Sequence, residues 1–161
     1  FRADGLDEAV FYIQTNPGEE AKPLAKIASG GELSRLMLAM KTIFARSEGV
    51  TAIIFDEVDT GVSGRVAQAI ANKISLIAKR SQVLCITHLP QVAAMADHEY
   101  VISKAVHDGR TTTQVNKLTH KARVEEIARM LAGEKITKLT IEHAEELLRM
   151  ADEFKHGKVS S

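Results

Sequence analysis

One short run constrains this chain more than any other: Thr51-Ala52-Ile53-Ile54-Phe55, apolar or β-branched throughout and closed abruptly by two adjacent acids, Asp56 and Glu57. Its length and branching suit a strand buried on both faces, as in a parallel sheet covered by helices. Gln82 to Thr87 repeats the pattern. Between the two lies a helical stretch that puts Val66, Ile70, Ile74 and Ile77 on one face, with Ser63 placed to cap its start. Strand, helix and strand in that order predict an α/β fold with a largely parallel core sheet and flanking helices.

The remaining elements fit around that unit. Residues 8 to 15 are rich in β-branched and aromatic side chains and read as a strand, followed by an Asn16-Pro17-Gly18 turn. Leu33, Leu36, Met37, Met40, Ile43 and Phe44 follow helical spacing, giving an amphipathic helix of about four turns that Gly49 ends. A short helix is expected after Pro90, then strands at 100–103 and 111–118 around an Asp108-Gly109 turn, then helices near 124–132 and 141–154. The expected organisation is one domain over 1–154 with a disordered tail at 155–161.

Composition removes several classes of function. Lysine and arginine total 21 against 21 acids, so the basic excess typical of an autonomous nucleic-acid binder is missing. A late basic run (Lys104, Arg110, Lys117, Lys121 and Arg123) reads more simply as a solvated edge than as a phosphate-contacting strip. Cys85 is the only cysteine, so no internal disulfide forms; set among Val83, Leu84 and Ile86 it reads as a buried, inert thiol in a reducing cytoplasm. No apolar stretch approaches the roughly 20 residues needed to cross a bilayer. The opening Phe1-Arg2-Ala3-Asp4-Gly5 has neither an initiator Met nor a signal-peptide layout, and the chain is expected to be an excised or processed fragment.

Chemistry gathers at three places. At the carboxyl end of a strand in an α/β sheet, Asp56 is placed to serve a nucleotide-bound Mg²⁺ and Glu57 to deprotonate an attacking water, worth roughly 10²–10⁴-fold in rate. Taken alone, two solvated acids at a strand end is the simpler reading. Ala28-Ser29-Gly30-Gly31-Glu32 precedes the first long helix, where paired glycines and free N–H groups suit an anion. Ser29 and Glu32 also have the spacing of a capping box, which requires no ligand. His88 follows the second strand, where it can meet a phosphate or serve only as a loop residue.

Their order and spacing decide what each place alone leaves open. Ser29-Gly30-Gly31-Glu32, Ile53-Ile54-Phe55-Asp56-Glu57 and His88 resemble the signature, Walker B and switch-histidine motifs of ABC-type ATPases, and Glu32 in place of a Gln points to the SMC-like branch. Phe55-Asp56-Glu57-Val58-Asp59-Thr60-Gly61-Val62-Ser63-Gly64, with Ile86-Thr87-His88-Leu89-Pro90-Gln91-Val92-Ala93, closely resembles the RecN family of bacterial SMC-like ATPases of double-strand-break repair. The resemblance continues through 123–131 to about residue 150. It implies the C-terminal half of an ABC/SMC-type, P-loop NTPase-like head. Asp56 would serve Mg²⁺, Glu57 would be the catalytic base, and His88 would sense the γ-phosphate. Ser29, Gly30 and Gly31, with Glu32 beside them, would meet ATP held by a second head, and Asp59 would lie at the seam of the head dimer. It further implies DNA as a partner, a long coiled coil joining the head halves, and a bacterial, nucleoid-associated cytoplasmic setting without a membrane.

The departures matter equally. No Gly-x-x-x-x-Gly-Lys-[Ser/Thr] occurs in the chain, Gly157-Lys158 lacking both the earlier glycine and the following hydroxyl, and no sustained heptads appear. The Walker A loop must therefore come from sequence outside this fragment, which the resemblance implies is the protein's own N-terminal head half, and this chain by itself is expected to bind ATP weakly and hydrolyse almost none. The alternatives are a catalytically inactive SMC-like module that binds protein or DNA, and a transporter nucleotide-binding domain, against which Glu32 counts. Without the N-terminal half, an apolar surface and a sheet edge are expected to be exposed.

Overall fold

The structure, a computed structural model, describes residues 5, 9–14, 17–26, 30–44, 52–107, 110–133 and 135–157. Its centre is a strand–helix–strand unit: β3 (Ala52–Phe55), α2 (Gly64–Ala78) and β4 (Gln82–Cys85). The strands pair in parallel, Ile53 against Val83 and Phe55 against Cys85, which requires a crossover such as α2 between them. Ahead of the unit come β1 (Tyr12–Ile13), β2 (Lys22–Pro23) and α1 (Gly30–Phe44). After it come α3 (Pro90–Ala94), β5 (Tyr100–His107), β6 (Arg110–Lys117), α4 (His120–Ala132) and α5 (Lys138–Lys155). Among the described residues, β1–β2 and β5–β6 are antiparallel, so the parallel part of the fold is the β3–β4 pair alone.

The core runs from that pair through the helices behind it. Phe55 and Val58 join Ile70, Ala71, Ile74 and Ile77 of α2, Val92 to Ala94 of α3 and Met95 just after it, Val124, Ile127 and Ala128 of α4, and Ala144, Leu148 and Ala151 of α5. Alanines are frequent at these contacts, which lets helices approach closely in a chain with few aromatics. Of the predicted α2 face, Ile70, Ile74 and Ile77 are buried as expected, whereas Val66 is 51% exposed and Ala67 begins the buried stripe in its place. From Ala67 the spacings i+3, i+4 and i+7 give Ile70, Ala71 and Ile74, and Ser75 and Ile77 complete the buried set.

The α1 stripe departs further from expectation. Leu33, Met37, Met40 and Ile43 are exposed, and Leu38 is this helix's contribution to the core. On the sheet, Ile54 and its register partner Leu84 lie on one face, with Ile86 also exposed, whereas Phe55 is buried. The expected apolar surface is therefore present, on α1 and on one face of the β3–β4 pair. Helix α5 extends through Lys155, whose ammonium meets Asp97 at 3.2 Å, so the expected tail is helical at its first residue. Residues 158–161, Asn16 and the Asp108-Gly109 turn lie outside the described residues.

Helix starts follow side-chain chemistry where the structure shows it. Thr137 accepts from the Thr140 amide at 3.2 Å and Thr140 accepts from the Thr137 amide at 2.8 Å, a reciprocal cap at the head of α5. Thr137→Ala is expected to destabilise the fold by about 1 kcal/mol in urea unfolding, because the Thr140 amide loses its acceptor. Ser63 does occupy the cap position of α2, but its backbone carbonyl takes the first amides and its side chain makes no cap bond.

Candidate functional site

The sheet's carboxyl end places the acids. After Phe55 the chain leaves β3 with Asp56 exposed and turns through Glu57, whose φ of 57° is left-handed. A side chain in that region costs about 1–2 kcal/mol, so the turn must be held from elsewhere. The hold is visible: Val58 is fully buried, Asp59 is 1% exposed, and the Thr60 amide donates to the Glu57 carbonyl at 3.2 Å. Burying the two residues that follow Glu57 leaves its own side chain facing outward.

Helix α1 is pinned against this turn. The Ser34 hydroxyl donates to the Asp56 carbonyl at 2.9 Å and the Arg35 guanidinium to the Thr60 carbonyl at 2.8 Å. The two glycines at the helix start lie so close that a Cβ on Gly30 would stand 2.6 Å from the Glu57 Oε2, and one on Gly31 would stand 3.2 Å from the Glu57 carbonyl oxygen. At Gly31 the close neighbour is backbone, so a side chain there would press on the turn; at Gly30 it is the movable end of Glu57. The Glu57 carboxylate thus sits where a helix N-terminus favours an anion. Glu32 is exposed in the first turn of the same helix. Ser29 lies outside the described residues, and with it the expected capping box.

The second strand end supplies the opposite wall. The Ile86 amide donates to the Phe55 carbonyl at 3.0 Å, continuing the ladder one step past β4. Thr87 and His88 follow. Thr87 donates its hydroxyl to Asp59 Oδ2, and the His88 amide donates to the same oxygen at 3.1 Å. His88 Nδ1 stands 3.5 Å from it, with the ring largely exposed. The resemblance put Asp59 at a dimer seam; the structure turns its carboxylate inward, onto the His88 loop, and leaves Thr60 and Gly61 exposed beside it.

Asp56, Glu57, Thr60, Ile86, Thr87 and His88 line one open cleft of about 170 Å³, with Asp59 behind them. A wider hollow of about 500 Å³ between α4 and α5, walled in part by Val124 and Ile141, holds none of these residues. Among the described residues no cluster of three or more His, Cys, Asp or Glu is placed to hold a metal. The donor set is therefore one or two carboxylates at a strand end, which fits Mg²⁺ completed by phosphate oxygens and water rather than a protein-only cage. Sequence reasoning missed Ser34, Arg35 and Thr87, since a polar residue on a helix or after a strand carries no signal until its partner is in place.

Cys85, at the end of β4, is half-buried. Burial, then the charges of Asp59 and Asp56, push its thiol up to about 12. Native Cys85 is expected to be alkylated by iodoacetamide at pH 8.5 at least about tenfold more slowly than in urea, because the thiolate is the reacting form. Equal rates would contradict that burial.

Acids at the end of a parallel strand, a glycine-started helix against them and a histidine on the neighbouring strand end are the arrangement that the resemblance to ABC/SMC-type heads implies. The comparison with known proteins gives the particular family. The chain is 64% identical over 155 residues to the DNA repair protein RecN of Halalkalibacterium halodurans, covering 96% of this chain and 27% of that protein. It is 62% identical over 151 residues to RecN of Bacillus subtilis (94% and 26%), and 44% identical over 144 residues to RecN of Vibrio cholerae (89% and 26%). The chain belongs to the RecN family, of which it matches the C-terminal part. It spans about a quarter of the length of these curated relatives. No family model matches. A chain from a structural study of SMC ATPases superposes with a TM-score of 0.49 at 21% identity, covering 79% of this chain and 83% of that one, a likeness too loose to bear weight.

Proposed function

We propose that this chain is the C-terminal half of an ATP-hydrolysing RecN head that acts in DNA double-strand-break repair and recombination. The observation that carries the reading is the single cleft shared by Asp56, Glu57 and His88, three groups from two adjacent strand ends. Asp56 is the residue that would hold Mg²⁺, which would supply charge neutralisation at the phosphates. Glu57 takes the proton of the attacking water. His88 faces the terminal phosphate. Gly30 and Gly31, with Glu32 in the same turn, open the helix, and together with Ser29 they would meet the nucleotide of a second head in an ATP-dependent homodimer. In the present structure Glu57 occupies that helix start, so engagement of a second head requires the carboxylate to leave it.

The apolar faces left open by this chain are where we place the protein's own N-terminal half with its Walker A loop. Ile54, Leu84 and Ile86 continue one sheet face, and Leu33, Met37 and Met40 form a stripe at i, i+4 and i+7 on α1. Among the described residues no helix is long and apolar enough to cross a membrane. The setting we propose is the bacterial cytoplasm at the nucleoid, with DNA contacted by the intact protein. The test is ATP turnover by the intact protein with and without DNA. Turnover that rises with DNA and with protein concentration supports a dimeric ATPase; no turnover in either condition leaves an SMC-like binding module as the reading.

A further inference from the structure

Asp59 is 1% exposed, and a carboxylate is costly to bury unless donors converge on it. Here they converge from one dipeptide. Oδ2 accepts from the Thr87 hydroxyl and from the His88 amide at 3.1 Å, and His88 Nδ1 lies 3.5 Å away. Thr87 is used twice, because its Oγ1 also accepts the Leu89 amide at 3.0 Å. Leu89 is the residue at which α3 starts, with Pro90 as its first helical position. The chain from β4 to α3 is thus fixed by one buried acid and one hydroxyl, and the acid belongs to the turn that carries Glu57. With Nδ1 on the Asp59 side, Nε2 is the nitrogen left facing away from the strut, on a ring that lines the cleft.

We propose that Thr87 is a positioning residue: with Asp59 it forms a strut that ties the Glu57 turn to the His88 loop and sets the direction of the His88 ring. The strut rests on the ATPase reading for its purpose, and on geometry alone for its existence. It couples the two walls of the cleft, so that a displacement of the turn at Glu57 is transmitted to His88 through Asp59 rather than through solvent. A valine at position 87 keeps the shape of the side chain and removes both hydrogen bonds; a serine keeps the hydroxyl.

The experiment uses the intact protein with Thr87→Val and Thr87→Ser, reading ATP turnover and, without nucleotide, amide exchange at His88 and Leu89 by mass spectrometry. For Thr87→Val we expect exchange at those amides to quicken at least about tenfold. We also expect kcat to fall about ten- to a hundredfold while KM for ATP stays within about twofold, as for a misplaced catalytic group. Thr87→Ser should restore both. Faster exchange with unchanged kcat overturns the positioning role, and unchanged exchange overturns the strut. A wild-type protein that turns over no ATP sinks the ATPase reading instead, and the exchange measurement still decides whether the strut exists.

Discussion

Replacing Glu57 with Gln in the intact protein is expected to lower ATP turnover about 10²–10⁴-fold while leaving ATP binding and head dimerisation in place. The amide has nearly the volume and shape of the carboxylate, so the left-handed turn at φ 57° and the burial of Val58 and Asp59 should persist. What it lacks is a basic oxygen for the proton of the water. Trapping of a nucleotide-bound dimer, seen by sedimentation, would accompany the loss if Glu57 acts after the second head has docked. The close approach of Gly30 to the Glu57 Oε2 adds a second expectation. A neutral amide is held less strongly at a helix N-terminus than a carboxylate, by roughly 0.3–1 kcal/mol, so the variant should dimerise at least as readily as wild type. Turnover equal to wild type removes Glu57 from the chemistry altogether.

The strand–helix–strand unit was legible because two independent signals agree there. The apolar run into Asp56 and Glu57 marks a strand by length, and the intervening stretch marks a helix by period. Val66 shows the limit of the second signal: Ile70, Ile74 and Ile77 of the expected face are buried, and only packing tells that Ala67 and not Val66 is covered at its first turn. Leu33, Met37 and Met40 show another, since periodicity reports that a stripe exists and not what covers it. Asp56, Glu57 and His88 were legible as residues and their shared cleft was not, because their approach depends on the register Phe55 against Cys85. The inward turn of Asp59 was invisible for the same reason: its partner Thr87 lies 28 positions away.

Arg123→Ala is expected to destabilise the fold by about 3 kcal/mol, although in sequence Arg123 stands at the end of a basic run. Its guanidinium contacts the Glu99 carboxylate at 3.2 Å and donates to the carbonyls of Ala96 at 2.8 Å and Ala94 at 3.4 Å. Its side chain is 18% exposed and that of Glu99 9%, so no DNA phosphate is needed to explain the charge. Losing the guanidinium leaves a buried carboxylate and two carbonyls at the end of α3 without that donor. Burial already holds the Glu99 carboxyl above the ordinary carboxylate range, with Arg123 pulling it back. In the variant that opposing pull is gone and Glu99 rises further. A carboxyl raised in the folded state adds stability while it is protonated and loses that contribution as pH climbs through its folded value. The difference between variant and wild type should therefore be larger at pH 7.5 than at pH 5 in urea unfolding. A cost independent of pH would mean that the carbonyl contacts, and not the ion pair, hold α4 to the end of α3.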